Sequence, residues 1–189
     1  MGFFITFIIF ITVIIFIFSS KKFSPIPYFP SQPADMLLII KALSLKNNQT
    51  IFDLGAGDGT VIFKAAEEAF QQDLNTKFVA VEINPVLILI LYLRRLFHKN
   101  RKNIKIIRDD IFKMDFESLI MKQSNNVTIY LYISPWYIER VIKNCKMKNE
   151  KFSVVSYMYP VKSLTRKPSF AKASEGKEII QGKNKIFIY

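Results

Sequence analysis

Asp53, Gly55, Gly57 and Gly59 stand two residues apart along the chain, and Glu82 follows Gly59 by 23 residues. Glycines at that spacing let a chain reverse through dihedrals closed to other residues and let a ligand reach bare backbone. A carboxylate at the end of the strand that feeds such a turn suits a ligand presenting an ammonium group and repels one presenting a pyrophosphate. Further along, Asp109 and Asp110 close another apolar run, where either could cap a helix or accept a hydrogen bond from a ligand. Ser134-Pro135-Trp136-Tyr137 brings a hydroxyl and two aromatic rings to the end of a fourth run. Cys145 and His98 are the single cysteine and the single histidine, so an intramolecular disulfide is excluded and no Cys/His metal site is expected. A Ser, His and Asp catalytic set would have to use His98, which lies among Arg94, Arg95, Lys99 and Arg101 and reads as a solvated side chain.

The elements that must hold these residues alternate between strand and helix. A buried strand at 51–54 runs through the glycines into a helix at 61–70, and a second strand at 78–83 ends in Glu82 and Ile83. Asn84 and Pro85 open the next helix, 85–99, which is apolar through Leu93 and then turns basic; its cations suit the negative end of a helix. Strands follow at 104–107, 127–133 and 152–159, with an amphipathic helix at 135–147 and an earlier helix at 33–45 beside the first strand. Residues 164–176 read as a flexible or weakly helical low-complexity insert, and 178–181 and 185–189 flank Gly182-Lys183-Asn184 as a terminal hairpin. The fold class expected is α/β: a Rossmann-like, doubly wound, seven-stranded sheet, mostly parallel, with an antiparallel C-terminal hairpin.

Asp53-x-Gly55-x-Gly57-x-Gly59 resembles the first motif of class I S-adenosylmethionine-dependent methyltransferases, whose glycine loop wraps the methionine part of the cofactor. The resemblance implies a methyltransferase that binds S-adenosyl-L-methionine through Asp53, Gly55, Ala56, Gly57 and Gly59. It sets Glu82 and Ile83 at the ribose and Asp110 and Ile111 at the adenine. The acid at Asp53 and the glycine spacing separate the motif from the dinucleotide pattern G-x-G-x-x-G. The string Pro27-Tyr28-Phe29-Pro30-Ser31 ahead of the motif resembles that of the membrane-anchored protein-lysine methyltransferases, which include the ATP synthase c-subunit enzyme; there the proline-aromatic segment lies over the active site. Ser134 to Tyr137 resembles loosely the Asp/Asn-Pro-Pro-aromatic motif of enzymes that methylate amino groups of nucleobases or glutamine, but lacks the amide or carboxylate and the second proline. The catalytic candidates that follow from these resemblances are Tyr28, Ser134, Pro135 and Trp136. Aromatic walls at Tyr28, Trp136 and Tyr137 would favour the neutral form of a lysine acceptor.

Residues 2–18 hold no charge and are followed by Lys21 and Lys22. As a helix the run would be about 25 Å long, at the short end of what crosses a hydrocarbon core. It has no basic stretch before it and no small-x-small site after it, which argues against a secretory signal. The expectation is one transmembrane anchor, 1–20, with the positive-inside rule placing a catalytic domain at 34–189 in the cytoplasm. Between them, 21–33 carries four prolines and reads as a stiff connector or as a cover for the site. The net charge of +12 is spread along the chain, as a lysine-rich composition gives, and also admits a nucleic-acid partner. Three functions follow. The first is methylation of lysine in a membrane or membrane-adjacent protein. The second is methylation of RNA, DNA or a small molecule, and the third an anchored binding module with a vestigial pocket.

Overall fold

The computed structural model describes residues 1–121, 126–145, 152–165 and 178–189. Strand β1, Thr50–Leu54, is buried at every position, as a central strand covered on both faces requires. Gly59 (φ 78°) then hands the chain to helix α3, Thr60–Gln71, which buries Val61, Ile62, Ala65, Ala66 and Ala69 at helical spacing. Strand β2, Lys77–Glu82, lies parallel to β1 and leads to helix α4, Pro85–Phe97. Asn84 caps α4 by accepting from the backbone N–H groups of Val86 at 2.9 Å and Leu87 at 3.3 Å.

Strands β3, Ile104–Arg108, and β4, Val127–Leu131, add to opposite sides of the β2–β1 pair, and β5, Phe152–Tyr157, extends the β4 side, all parallel. The terminal hairpin, β6 (Glu178–Gln181) and β7 (Lys185–Ile188), enters with β7 antiparallel to β5. The order is β3-β2-β1-β4-β5-β7-β6. This is the mostly parallel seven-stranded sheet with an antiparallel hairpin that the strand and turn pattern predicts. The expected fifth strand is two residues shorter, because Met158 (φ 73°) turns out of extended geometry.

Alternation along the strands sorts the core into two layers. Ile51, Phe78, Ala80 and Tyr130 pack with α3, α4 and helix α2, Met36–Leu43. Phe52, Leu54, Val79, Ile129 and Leu131 pack with helix α6, Pro135–Cys145, which buries Ile138, Val141, Ile142 and Cys145. Asp53, one residue from each of Phe52 and Leu54, falls on the first face, opposite Ala80 and Tyr130 in register. The helix expected at 33–45 divides into a 3-10 turn, Pro33–Asp35, and α2, which Ser44 closes in the left-handed region (φ 48°). Asp35 explains the break. Its buried carboxylate accepts from Tyr157 Oη at 2.7 Å and from the backbone N–H groups of Lys183 at 2.6 Å and Asn184 at 2.9 Å, tying this turn to the hairpin.

Short helices α5, Phe116–Met121, and α7, Lys162–Thr165, have no counterpart in the sequence reading; neither is long enough to show a period. The low-complexity stretch, over 166–177, and the last two residues of the helix expected at 135–147 lie outside the described residues. The N-terminal run forms helix α1, Gly2–Ser19, with no buried residue. It is long and apolar enough to cross a membrane by length and composition.

Candidate functional site

At the carboxyl ends of β1, β2 and β4, where ligands of open α/β sheets bind, the glycine turn forms the floor of a cleft. Gly55, Gly57 and Gly59 have φ of 82°, 58° and 78°, a region that side-chain-bearing residues rarely occupy. The turn is pinned to β2: the N–H groups of Gly55 and Ala56 both donate to the Val81 carbonyl at 2.9 Å, and that of Gly57 donates to Glu82 Oε2 at 2.9 Å. Gly59 faces inward, away from the cleft. A Cβ there would stand 2.5 Å from Leu91 Cδ2 and 2.7 Å from Phe63 Cε2, so this glycine lets α3 and α4 close together.

Asp53 is 4% exposed, and no donor among the described residues hydrogen-bonds its carboxylate. Burial, then the charges of Glu82 and Asp58, push its pKa up to about 8. A buried acid without a partner is costly unless a cation arrives to pair with it. Glu82 is differently held. Its Oε1 accepts from the N–H groups of Ile83 at 2.8 Å and Asn84 at 2.9 Å, while Oε2 accepts, among the described residues, from Gly57 alone and keeps a lone pair for another donor. Burial raises the Glu82 pKa, and these backbone bonds offset part of the rise. Asp58, the third acid of the turn, is neutralised by Arg94, whose Nη1 lies 3.0 Å from Oδ2 and 2.8 Å from the Asp58 carbonyl. Arg94 also stacks over Phe63, 5.0 Å from its centroid.

Arg94 and His98 thus differ from the solvated tail that the charge run suggests. His98 accepts the Asn100 N–H at Nδ1 (3.1 Å) and turns Nε2 to the Phe63 carbonyl (3.1 Å), so its ring ties α4 to α3. Their partners lie about 35 positions away along the chain, beyond any local pattern.

Asp109 and Asp110 both line the cleft beyond Glu82. Asp109 Oδ1 accepts the Asp110 N–H at 2.7 Å, and Asp110 Oδ1 accepts the Phe112 N–H at 2.9 Å, so each caps the following turn, while Asp110 Oδ2 stands 3.8 Å from the exposed Lys113 ammonium. Ala56, Ile83 and Ile111 are wall residues of the same cleft.

The proline-aromatic segment, 24–31, lies across the cleft and forms its other wall. Tyr28 rests on the glycine turn: a Cβ at Gly57 would stand 2.6 Å from Tyr28 Cε2. Burial and the nearby Asp58 charge raise the Tyr28 pKa. Ser31 Oγ anchors the segment to Tyr130 Oη at 3.2 Å.

Tyr130 and Tyr132 line the cleft where sequence reasoning saw only strand. Tyr132 stands edge-on to Tyr157, with centroids 4.9 Å apart. Burial holds the phenol pKa of Tyr130 well above its ordinary value and raises that of Tyr132, so both remain protonated at neutral pH. Two tyrosines at the carboxyl end of the strand facing the glycine turn were the available signal. Ser134, Pro135 and Trp136 stand one step beyond, at the start of α6, and are not among the residues lining the cleft. Trp136 is 82% exposed, and the Ser134 carbonyl accepts the Tyr137 N–H at 3.0 Å.

The profile of the ribosomal RNA adenine dimethylase family matches residues 29–161 of the 189. Two curated relatives match parts of the chain. A probable ribosomal RNA small subunit methyltransferase A of Methanosphaera stadtmanae is 32% identical over 88 residues, 47% of this chain and 30% of that protein. An ATP synthase c-subunit lysine N-methyltransferase of Caenorhabditis elegans is 31% identical over 96 residues, 48% of this chain and 47% of that protein. The chain therefore spans less than half the length of either. Among solved structures, an RNA methyltransferase of Salinibacter ruber in complex with S-adenosyl-L-homocysteine superposes with a TM-score of 0.60 at 16% identity, over 85% of this chain and 92% of that one. The chain belongs to the ribosomal RNA adenine dimethylase family and has the class I S-adenosylmethionine-dependent methyltransferase fold.

Proposed function

We propose that this protein is an S-adenosylmethionine-dependent methyltransferase, anchored in a membrane, that methylates a lysine amine of a membrane or membrane-adjacent protein. The observation that carries the enzyme reading is Asp53, a buried carboxyl group with no hydrogen-bond partner among the described residues, beside a left-handed glycine turn. S-adenosylmethionine would supply a methyl group on a sulfonium. Asp53 would pair with its ammonium, Gly55 to Gly57 would take the methionine part against bare backbone, the spare lone pair of Glu82 Oε2 would accept a ribose hydroxyl, and Asp110 with Ile111 would hold the adenine. The sulfonium is already a good leaving group, so the protein has mainly to align donor and acceptor, an effect worth roughly 7–11 kcal/mol.

The end of β4 favours a lysine acceptor. Tyr132, Ile133 and Ser134 offer no side-chain amide or carboxylate to hold a nucleobase amine in plane. Tyr28, Tyr130 and Tyr132 instead offer protonated phenols and aromatic faces, which take an amine as hydrogen-bond acceptors and hold its cation before the proton is lost. The similarity to the nematode lysine methyltransferase over 96 residues supports the same acceptor. Residues 1–20 would be the anchor, and the domain at 34–189 would lie on the cytoplasmic side set by Lys21 and Lys22.

A second reading, methylation of RNA, is favoured by the family itself, by the archaeal relative and by the net charge of +12. The test uses the full chain in lipid nanodiscs with methyl-tritiated cofactor and host membranes or host RNA. Label that protease removes and nuclease leaves supports the lysine reading, with methyl-lysine confirmed by mass spectrometry. Label found in RNA alone overturns it in favour of the second.

A further inference from the structure

Helix α4 is apolar around most of its circumference, yet only one side of it is packed. Leu87, Ile88 and Leu91 face the core, whereas Leu89, Tyr92, Leu93, Leu96 and Phe97 form a second stripe at helical spacing that is 49–84% exposed. A helix with apolar residues all round is ordinarily covered on all sides, by protein or by lipid. A lone exposed leucine needs no explanation, but a two-turn stripe of five large side chains marks an interaction surface. The stripe ends in a basic turn. Lys99, Arg101, Lys102 and Lys105 are all exposed, and no acid occurs between positions 85 and 108. Glu67 on α3 and Asp73 just after it are acids on the same rim.

Helix α1 supplies the second observation. It touches α4, and its half-buried residues, Ile14, Ile17 and Phe18, all fall in its C-terminal half. If α1 crosses a bilayer, α4 sits where that helix leaves the lipid, at the side marked by Lys21 and Lys22.

We propose that the exposed stripe of α4, with the basic turn that follows it, lies on the surface of an anionic lipid bilayer. The inference rests on the reading of α1 as a membrane span. Apolar side chains enter the headgroup boundary while lysines and arginines meet acidic lipid headgroups, the arrangement of interfacial helices. A nucleic-acid surface would also be basic, but a row of exposed leucines with Phe97 gives phosphates nothing to bind. Docking would lay the domain against the membrane along its β3 edge, and Arg94 would carry that constraint to Asp58 in the glycine turn.

Spin labels placed by Phe97→Cys, Trp136→Cys and Phe10→Cys in the full chain test this, since the native Cys145 thiol is buried. The labelled proteins are reconstituted in phosphatidylcholine vesicles with and without phosphatidylserine, and accessibility to oxygen and to a water-soluble nickel complex is measured. The expected result is that position 97 loses nickel access and gains oxygen access in phosphatidylserine vesicles, while position 136 stays open to nickel. Added salt, or Lys99→Glu with Lys102→Glu, should reverse the shift at 97 and leave position 10 in lipid. Equal nickel access at 97 and 136, with position 10 in lipid, overturns the docking surface alone. Position 10 in water overturns the anchor reading and the inference with it. Protection of position 97 by an RNA hairpin but not by vesicles assigns the face to RNA and overturns the proposal.

Discussion

Asp53, the glycine turn and Glu82 occupy 30 consecutive positions and form most of the proposed cofactor end of the cleft, which Asp110 and Ile111 complete. The proposed acceptor end is assembled from distant pieces: Tyr28 and Ser31 from the N-terminal segment, Tyr130 and Tyr132 from a strand 99 positions further on. The first end is backbone and carboxylate, held by bonds such as Gly57 N–H to Glu82, and leaves one acid without a hydrogen-bond partner among the described residues. The second is tyrosine, neutral and held by packing. A pocket for an invariant ligand can be encoded locally, whereas the surface that selects the acceptor depends on which segments the fold brings together.

Five substitutions probe that contrast. Asp53→Asn should have the largest effect, weakening cofactor binding on the order of 100-fold or more, as removal of a buried charge partner does. The same change should stabilise the empty protein. The folded acid keeps its proton to about pH 8 and the unfolded acid loses it near 4, so the folded state binds more protons and the wild type loses stability as pH rises through that window. Thermal melts from pH 4 to 8 should show the variant's advantage growing with pH, by about 2–4 °C for each kcal/mol recovered. An unchanged affinity, or an advantage that shrinks with pH, would put the cation-binding role of Asp53 in doubt.

Gly57→Ala comes next. It forces a side chain into the left-handed region at a cost of roughly 1 kcal/mol and drives a methyl group into Tyr28, so cofactor affinity should fall about tenfold. Tyr28→Ala in the same chain should recover part of this loss, a coupling that a double-mutant cycle measures. Tyr132→Phe should lower kcat/KM for the acceptor by about three- to tenfold, the worth of one hydrogen bond, with cofactor affinity unmoved. A fall in cofactor affinity instead would erase the distinction between the two ends. Ser134→Ala, outside the cleft lining, should change kcat/KM less than about twofold.

The contrast also explains what the sequence reveals. The strand, glycine turn, helix and second strand are legible to within two residues, because each is marked by its own hydrophobic period or its own glycine. The antiparallel hairpin is equally plain from Gly182-Lys183-Asn184. What remains hidden is long-range. Arg94 reads as helix-end charge but clamps Asp58, Asp35 carries no local mark of its bond to the terminal hairpin, and Tyr132 reads as a strand residue but lines the cleft. Ser134 to Tyr137, legible as a motif at the strand end, leads into helix α6, a start that the proline marks.

Calorimetry of S-adenosylhomocysteine binding at pH 7, in two buffers of different ionisation enthalpy, tests the central claim most directly. If Asp53 is protonated in the empty cleft and must ionise to pair with the ligand ammonium, close to one proton is released per ligand bound, and the observed heat differs between the buffers accordingly. Asp53→Asn should abolish that difference along with most of the affinity. Equal heats in both buffers for the wild type, with affinity retained in the variant, would contradict the account.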